Sequence, residues 1–119
     1  MTDVRALLKQ MSAGYAAGDV AALSRLWAKP VRSAADERLR RAVVGGEKAD
    51  VTFTLIGLRI SGEKHLLAQV TWYGDWAAGN ASGSATVELE GDGALAVGAW
   101  RGALPGETGA RPSGASVSR

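Results

Sequence analysis

The hydrophobic pattern of this chain changes its period once, and that change narrows the folds open to it more than any other feature. Up to residue 44 the apolar side chains recur at three-and-four spacing, which builds one buried face on a helix. From Asp50 onward the spacing is two, the period of a half-buried strand. Short turns between the strands predict an antiparallel four-stranded meander. The fold class is therefore α+β: N-terminal helices packed on a curved antiparallel sheet, a cone-shaped roll.

The first helix is expected over about residues 3–17, with Val4, Leu7, Leu8, Met11 and Tyr15 as its stripe. Thr2 or Asp3 can cap it, and Gly18 suits a left-handed closing position. Asp19 then caps a second helix carrying Val20, Leu23, Leu26 and Trp27, which Lys29-Pro30 ends. Ser33 and Asp36 read as a capping pair for a third helix over 34–44, closed by Gly45-Gly46, with Ala35, Leu39, Ala42 and Val43 inward. Arg38, Arg40 and Arg41 read as a solvated face. Asp36 to Arg40 and Glu37 to Arg41 are acid-before-base pairs four apart, a spacing that stabilises an exposed helix surface.

In the β half, "TFTLIGLRI" read at strict alternation sets Phe53 and Leu55 against Ile56, Leu58 and Ile60, an apolar pattern on both faces. "SGEK" is a turn. The second strand puts Leu66, Ala68, Val70, Trp72 and Trp76 on one side and His65, Leu67, Gln69, Thr71, Tyr73 and Asp75 on the other. "AAGNASG" is expected to be a loop. Ala85, Val87 and Leu89 form the inner side of a third strand, and the "GDG" turn leads to a fourth. The domain is expected to span 1–103. Residues 104–119, rich in Gly, Ser and Pro with little to bury, are expected to be a disordered tail.

Composition excludes several functions. The chain has no cysteine, hence no disulfide and no thiol nucleophile. With one histidine, His65, at a strand start beside Lys64, a two-histidine metal site is excluded and a self-contained serine-type triad is not expected, and no metal and no cofactor is expected. A formal charge of +2 is too small to imply nucleic acid. No run approaches the roughly 18 apolar residues of a membrane helix, and the start lacks a secretion signal's apolar core, so a cytoplasmic protein is expected. Asn80-Ala81-Ser82 matches a glycosylation acceptor by chance, and the glycines of "EGDG" and "VVGGEK" lack the strand-loop-helix setting of a phosphate loop.

An amphipathic helix ending in "AAGDVAALSRLWA" before a meander resembles the nuclear transport factor 2-like superfamily, which includes ketosteroid-isomerase-like and SnoaL-like domains. Tyr15, the Ala-Gly-Asp at 17–19, Leu23, Leu26, Trp27 and the meander over 51–101 carry the resemblance. It implies a conical pocket between helices and sheet, and pairing of two copies through the convex sheet face. It also implies a β-hairpin between the second and third helices, where this chain has only "KPVRSA". In isomerase-like members that hairpin carries the proton-abstracting aspartate. The positions matching their two oxyanion donors are Met11 and Ala85. A base and two donors are needed for that chemistry and none of the three is present, so no catalytic residue is expected.

Two functions compete. One is a non-catalytic dimerisation or protein-interaction module, a homodimer with Thr54, Ile56, Leu58 and Tyr73 as interface candidates. The other is a SnoaL-like binder or minimal enzyme for a small hydrophobic, polyketide- or steroid-like ligand. Tyr15, Trp27, Trp72, Asp75, Trp76 and Trp100 are its pocket candidates. Asp75 enters because an acid beside aromatic surface can have a raised pKa, and the tryptophans because large amphipathic rings fill cores or line interfaces.

Overall fold

A computed structural model describes residues 2–91 and 95–107. Three helices, α1 (Thr2–Ala17), α2 (Val20–Ser24) and α3 (Arg32–Ala42), precede four strands, β1 (Asp50–Gly62), β2 (His65–Trp76), β3 (Gly79–Glu90) and β4 (Ala96–Gly102). The strands pair in sequence order, all antiparallel. The helices cover one face of the open sheet, and the core lies between the two layers.

The α1 stripe is buried as its spacing predicts: Val4, Leu7, Leu8, Met11 and Tyr15 all face the sheet. Gly18 closes the helix at φ +63°, and Asp19 accepts the Ala22 amide at 3.1 Å to start α2. The capping side chains expected at Thr2 and Asp3 lie outside the described residues, as do Asp92 and Gly93 of the expected "GDG" turn.

Both later helices depart from expectation. α2 stops at Ser24, short of Pro30, because the chain swings out to the free edge of β4. There the Ala28 amide donates to Val97 and the Val97 amide to Leu26, both at 2.8 Å, a single parallel bridge centred on Trp27. A 3₁₀ turn over Lys29–Val31 then feeds directly into α3, and among the described residues the hairpin that the resemblance implies between the second and third helices is absent. With that turn ahead of it, α3 begins at Arg32 without a side-chain cap. Asp36 instead pairs with Arg40 at 2.7 Å and Glu37 with Arg41 at 3.3 Å, as the spacing predicts.

The apolar pattern on both faces of β1 does not survive folding. A β-bulge at Ile56 sets two residues, Ile56 and Gly57, against Gln69. Leu55 therefore pairs with Val70 and Leu58 with Ala68, both partners buried, so Phe53, Leu55 and Leu58 share the inner face. Ile56 turns to the outer face, 60% exposed, and Ile60, in register with Leu66, is 78% exposed. The outer face is polar: Thr52, Thr54, Thr71, Tyr73, Ser82, Ser84 and Thr86 share it.

The expected loop over 77–83 shrinks to a two-residue turn, and β3 starts at Gly79. Small residues carry the strand here because tryptophans cover them. Gly83 lies opposite Trp72, and a Cβ on it would meet that indole at 2.7 Å. A Cβ on Gly74 would meet Trp76 at 2.6 Å.

The domain does not end at Ala103. Leu104, Pro105 and Gly106 are buried, and Glu107 is bonded to α3, so the fold runs at least to Glu107. Residues 108–119 of the expected tail lie outside the described residues.

Candidate functional site

The concave interior, the place for a pocket in such an architecture, is filled. Tyr15 reaches in from α1 and meets Phe53 at 6.2 Å between ring centroids. Phe53 meets Trp100 edge-on at 6.0 Å, and Trp100 meets Trp27 at 6.3 Å. Trp72 and Trp76 form a second edge-on pair at 6.4 Å. All of these rings but Phe53, which is half-buried, are buried. Met11 and Ala85, at the positions matched to oxyanion donors, are buried among them.

The end of the cone is closed by residues 103–107, which fold back as a strap after β4. Both Trp72 and Trp100 donate their indole N–H to the Ala103 carbonyl, each at 3.2 Å. Arg38 on α3 holds the strap from the other side. Its Nε and one Nη bond the two Glu107 carboxylate oxygens at 2.6 and 3.0 Å, and its guanidinium also donates to the Trp100 carbonyl at 2.9 Å and the Gly102 carbonyl at 2.5 Å. Glu107 accepts the Leu104 amide at 2.7 Å as well. Burial pushes the Glu107 carboxyl up, but the Arg38 bonds, the Leu104 amide and the charges of Arg38 and Arg41 outweigh it and hold the group below its ordinary value.

Arg38 was grouped by sequence with the solvated Arg40 and Arg41, and the structure corrects that. It shares the three-and-four stripe of Ala35, Leu39 and Ala42, which already aims it inward. An arginine inside an apolar stripe was the available signal. For Glu107, twelve residues from the chain end and set in Gly and Pro, no comparable signal exists.

Of the pocket candidates, Tyr15, Trp27, Trp72, Trp76 and Trp100 do converge on the interior. Asp75 does not: strand alternation places it on the outer face, exposed, in register with Asp50 and Asn80. Of the interface candidates, Thr54, Ile56 and Tyr73 are exposed on the outer face, whereas the bulge takes Leu58 inward. His65 is exposed at the β1–β2 turn, with Nδ1 3.0 Å from the Glu63 carbonyl and Nε2 3.9 Å from Glu90.

The Tyr15 hydroxyl has no hydrogen-bond partner among the described residues. Burial raises its pKa, the Glu107 charge raises it further, and Arg38 opposes both. A phenol so placed stays protonated at neutral pH and cannot act as a base. Among the described residues no group of three or more His, Asp or Glu side chains comes together to hold a metal ion, and no helix is long and apolar enough to cross a membrane.

An open groove of about 750 Å³ lies outside the cone, between α1 and β1. Leu8, Val51, Phe53 and Leu55 contribute its apolar lining, and Arg5, Lys9, Ser12 and Asp50 its polar one.

Helices across one face of an open antiparallel meander, entered through a Gly-Asp hinge, define the nuclear transport factor 2-like fold, and comparison with solved structures agrees. The chain superimposes on a nuclear transport factor 2-like protein of unknown function from Shewanella oneidensis with a TM-score of 0.65, at 12% identity over 85% of this chain and 96% of that one. A Xanthomonas campestris protein, provisionally named a calcium/calmodulin-dependent protein kinase II association domain, matches at 0.68, with 15% identity over 87% and 86%. A Novosphingobium aromaticivorans protein, provisionally named an aromatic ring hydroxylase, matches at 0.61, with 10% identity over 87% of each chain. No family model and no curated protein matches the sequence.

Proposed function

We propose that this chain is a non-catalytic interaction domain that works as a homodimer paired through the outer face of its sheet. The observation that carries this is the closed interior. Aromatic rings occupy the cone, the strap shuts its end, and apolar side chains stand where an isomerase of this architecture needs donors. What remains for function is surface. The outer face offers Tyr73, 48% exposed, and Ile56, 60% exposed, among short hydroxyl side chains. An aromatic and an aliphatic anchor among hydroxyl side chains, with the Arg101–Glu88 ion pair beside Ile56, suit a non-obligate interface. One structural neighbour carries the name of an association domain, which is consistent with this role. Size-exclusion chromatography with light scattering at micromolar concentration is expected to give twice the chain mass, and Ile56→Arg with Tyr73→Arg to give a monomer. A wild-type monomer overturns the proposal.

A second function is supported by the Tyr15 hydroxyl, buried without a partner. A small hydrophobic ligand admitted by release of the strap would find that hydroxyl and the Trp72 and Trp100 rings together. Titration of tryptophan emission with hydrophobic ligands tests this, and the absence of saturable quenching retires it.

A further inference from the structure

The α1–β1 groove has a property that the outer sheet face lacks: one of its walls is an unpaired strand edge. β1 is 13 residues long and among the described residues pairs only with β2, so every second residue turns its N–H and C=O away from the sheet. The opposite wall is α1, which presents Arg5 and Lys9, both exposed and without an ion pair among the described residues. The groove's acid, Asp50, stands at the other end. The Ala49 amide bonds the Tyr15 carbonyl at 3.0 Å, which ties the start of β1 to the last turn of α1, about 15 Å along the helix from Arg5. Among the described residues no ion pair offsets the positive charge at the Arg5 end.

The spacings of the two walls match. Residues four apart on a helix rise about 6 Å, and residues two apart on a strand about 6.7 Å, on the same face. We infer that the groove accepts an extended acidic segment of another protein as a fifth strand on the β1 edge, with acidic side chains at alternate positions against Arg5 and Lys9. Backbone pairing would supply affinity, and the two cations would select the partner and its register. Two other occupants fit poorly. Residues 108–119 contain two arginines and no acid. A second copy's β1 has one acid, Asp50, and would bring a second Arg5 and Lys9 alongside the first pair.

This inference rests on the domain being an interaction module but uses a different surface from the dimer. The test is fluorescence anisotropy with a labelled octapeptide of alternating Val and Glu. Saturable binding is expected, weakening as salt rises and by about tenfold or more in Arg5→Glu/Lys9→Glu, where two attractions become repulsions. Both residues are exposed, so the fold is not at stake, and circular dichroism checks that. Two N-methylated peptides separate strand addition from plain charge attraction. Blocking the amides that face β1 abolishes binding, whereas blocking the alternate set leaves it. Equal loss with both sets, equal binding of a Val/Lys peptide, or no saturable binding overturns the inference. So does a peptide that converts a dimer into monomers, since the groove is then a contact between copies. Light scattering on the same samples reads the dimer independently, so a failed peptide beside an intact dimer sinks the groove alone.

Discussion

Replacing Arg38 with alanine tests whether the strap is part of the fold or merely lies on it. Arg38 makes four contacts of 2.5 to 3.0 Å, two to a carboxylate and two to carbonyls. A net hydrogen bond contributes about 0.5–1.5 kcal/mol, more when charged groups are involved. With the Arg38 side chain 33% exposed and that of Glu107 21% exposed, water replaces some of what is lost. The four contacts together are then worth about 2–4 kcal/mol, a large share of the roughly 5–15 kcal/mol by which a domain is stable. In urea, with a slope of about 1–3 kcal/mol/M for small proteins, the midpoint should fall by about 1–2 M. Arg38→Lys should recover less than half, since an ammonium lacks the planar fork that serves a carboxylate and two carbonyls together. A cycle with Glu107→Ala should give a coupling of about 1–2 kcal/mol. The Trp72 and Trp100 indoles, which donate to Ala103, should red-shift as the strap loosens. A midpoint shift within error, or additive single variants, would refute a structural strap and restore the domain end at Ala103.

Three further outcomes follow from the same geometry. Glu107 is held below its ordinary value of 4.5 in the folded state, so the unfolded chain takes up this proton first as pH falls. The stability it contributes is full above that value and drains away as pH drops through the folded pKa. Glu107→Gln should flatten that part of a urea-midpoint against pH curve, and an unchanged slope would contradict the pairing. Tyr15→Phe removes a buried hydroxyl that has no partner, so stability at neutral pH should change by under about 1 kcal/mol or rise, and a loss of about 2 kcal/mol would mean that the hydroxyl is bonded. For the bulge, Ile56→Thr on the outer face should shift the thermal midpoint little, whereas Leu58→Thr on the inner face should lower stability by about 1–3 kcal/mol. Equal effects would mean that β1 alternates without a bulge.

The elements that were legible in the sequence owe their form to local chemistry. The α1 stripe, the Gly18-Asp19 hinge and the inner faces of β2 and β3 follow from side-chain period and backbone preference within a few residues. The bulge at Ile56 follows from nothing local. Leu55 and Leu58 can both reach the core only if one residue is looped out, and that demand comes from Val70 and Ala68 across the ladder. The early end of α2 has the same kind of cause, since Leu26 and Ala28 leave the helix to satisfy the edge of β4, some seventy residues away in sequence. "AAGNASG" read as a loop because glycine and asparagine usually mark turns. In the fold Gly83 makes room for Trp72, a requirement invisible without the pairing.

The strap and the filled cone are best understood as one arrangement. The resemblance implies that a hairpin supplies part of the pocket wall, and among the described residues none lies between α2 and α3. The chain substitutes two pieces for that wall: α3, entered through a 3₁₀ turn, and residues 103–107 clamped to it by Arg38. Each piece needs the other, because Glu107 is bonded only to Arg38 and to its own turn, while the Arg38 guanidinium has no other carboxylate partner among the described residues. At the other side of the sheet, β1 has no strand along its outer edge among the described residues. Under the proposed function, closing one end of the sheet layer while the opposite edge stays bare would move binding from the interior to the rim.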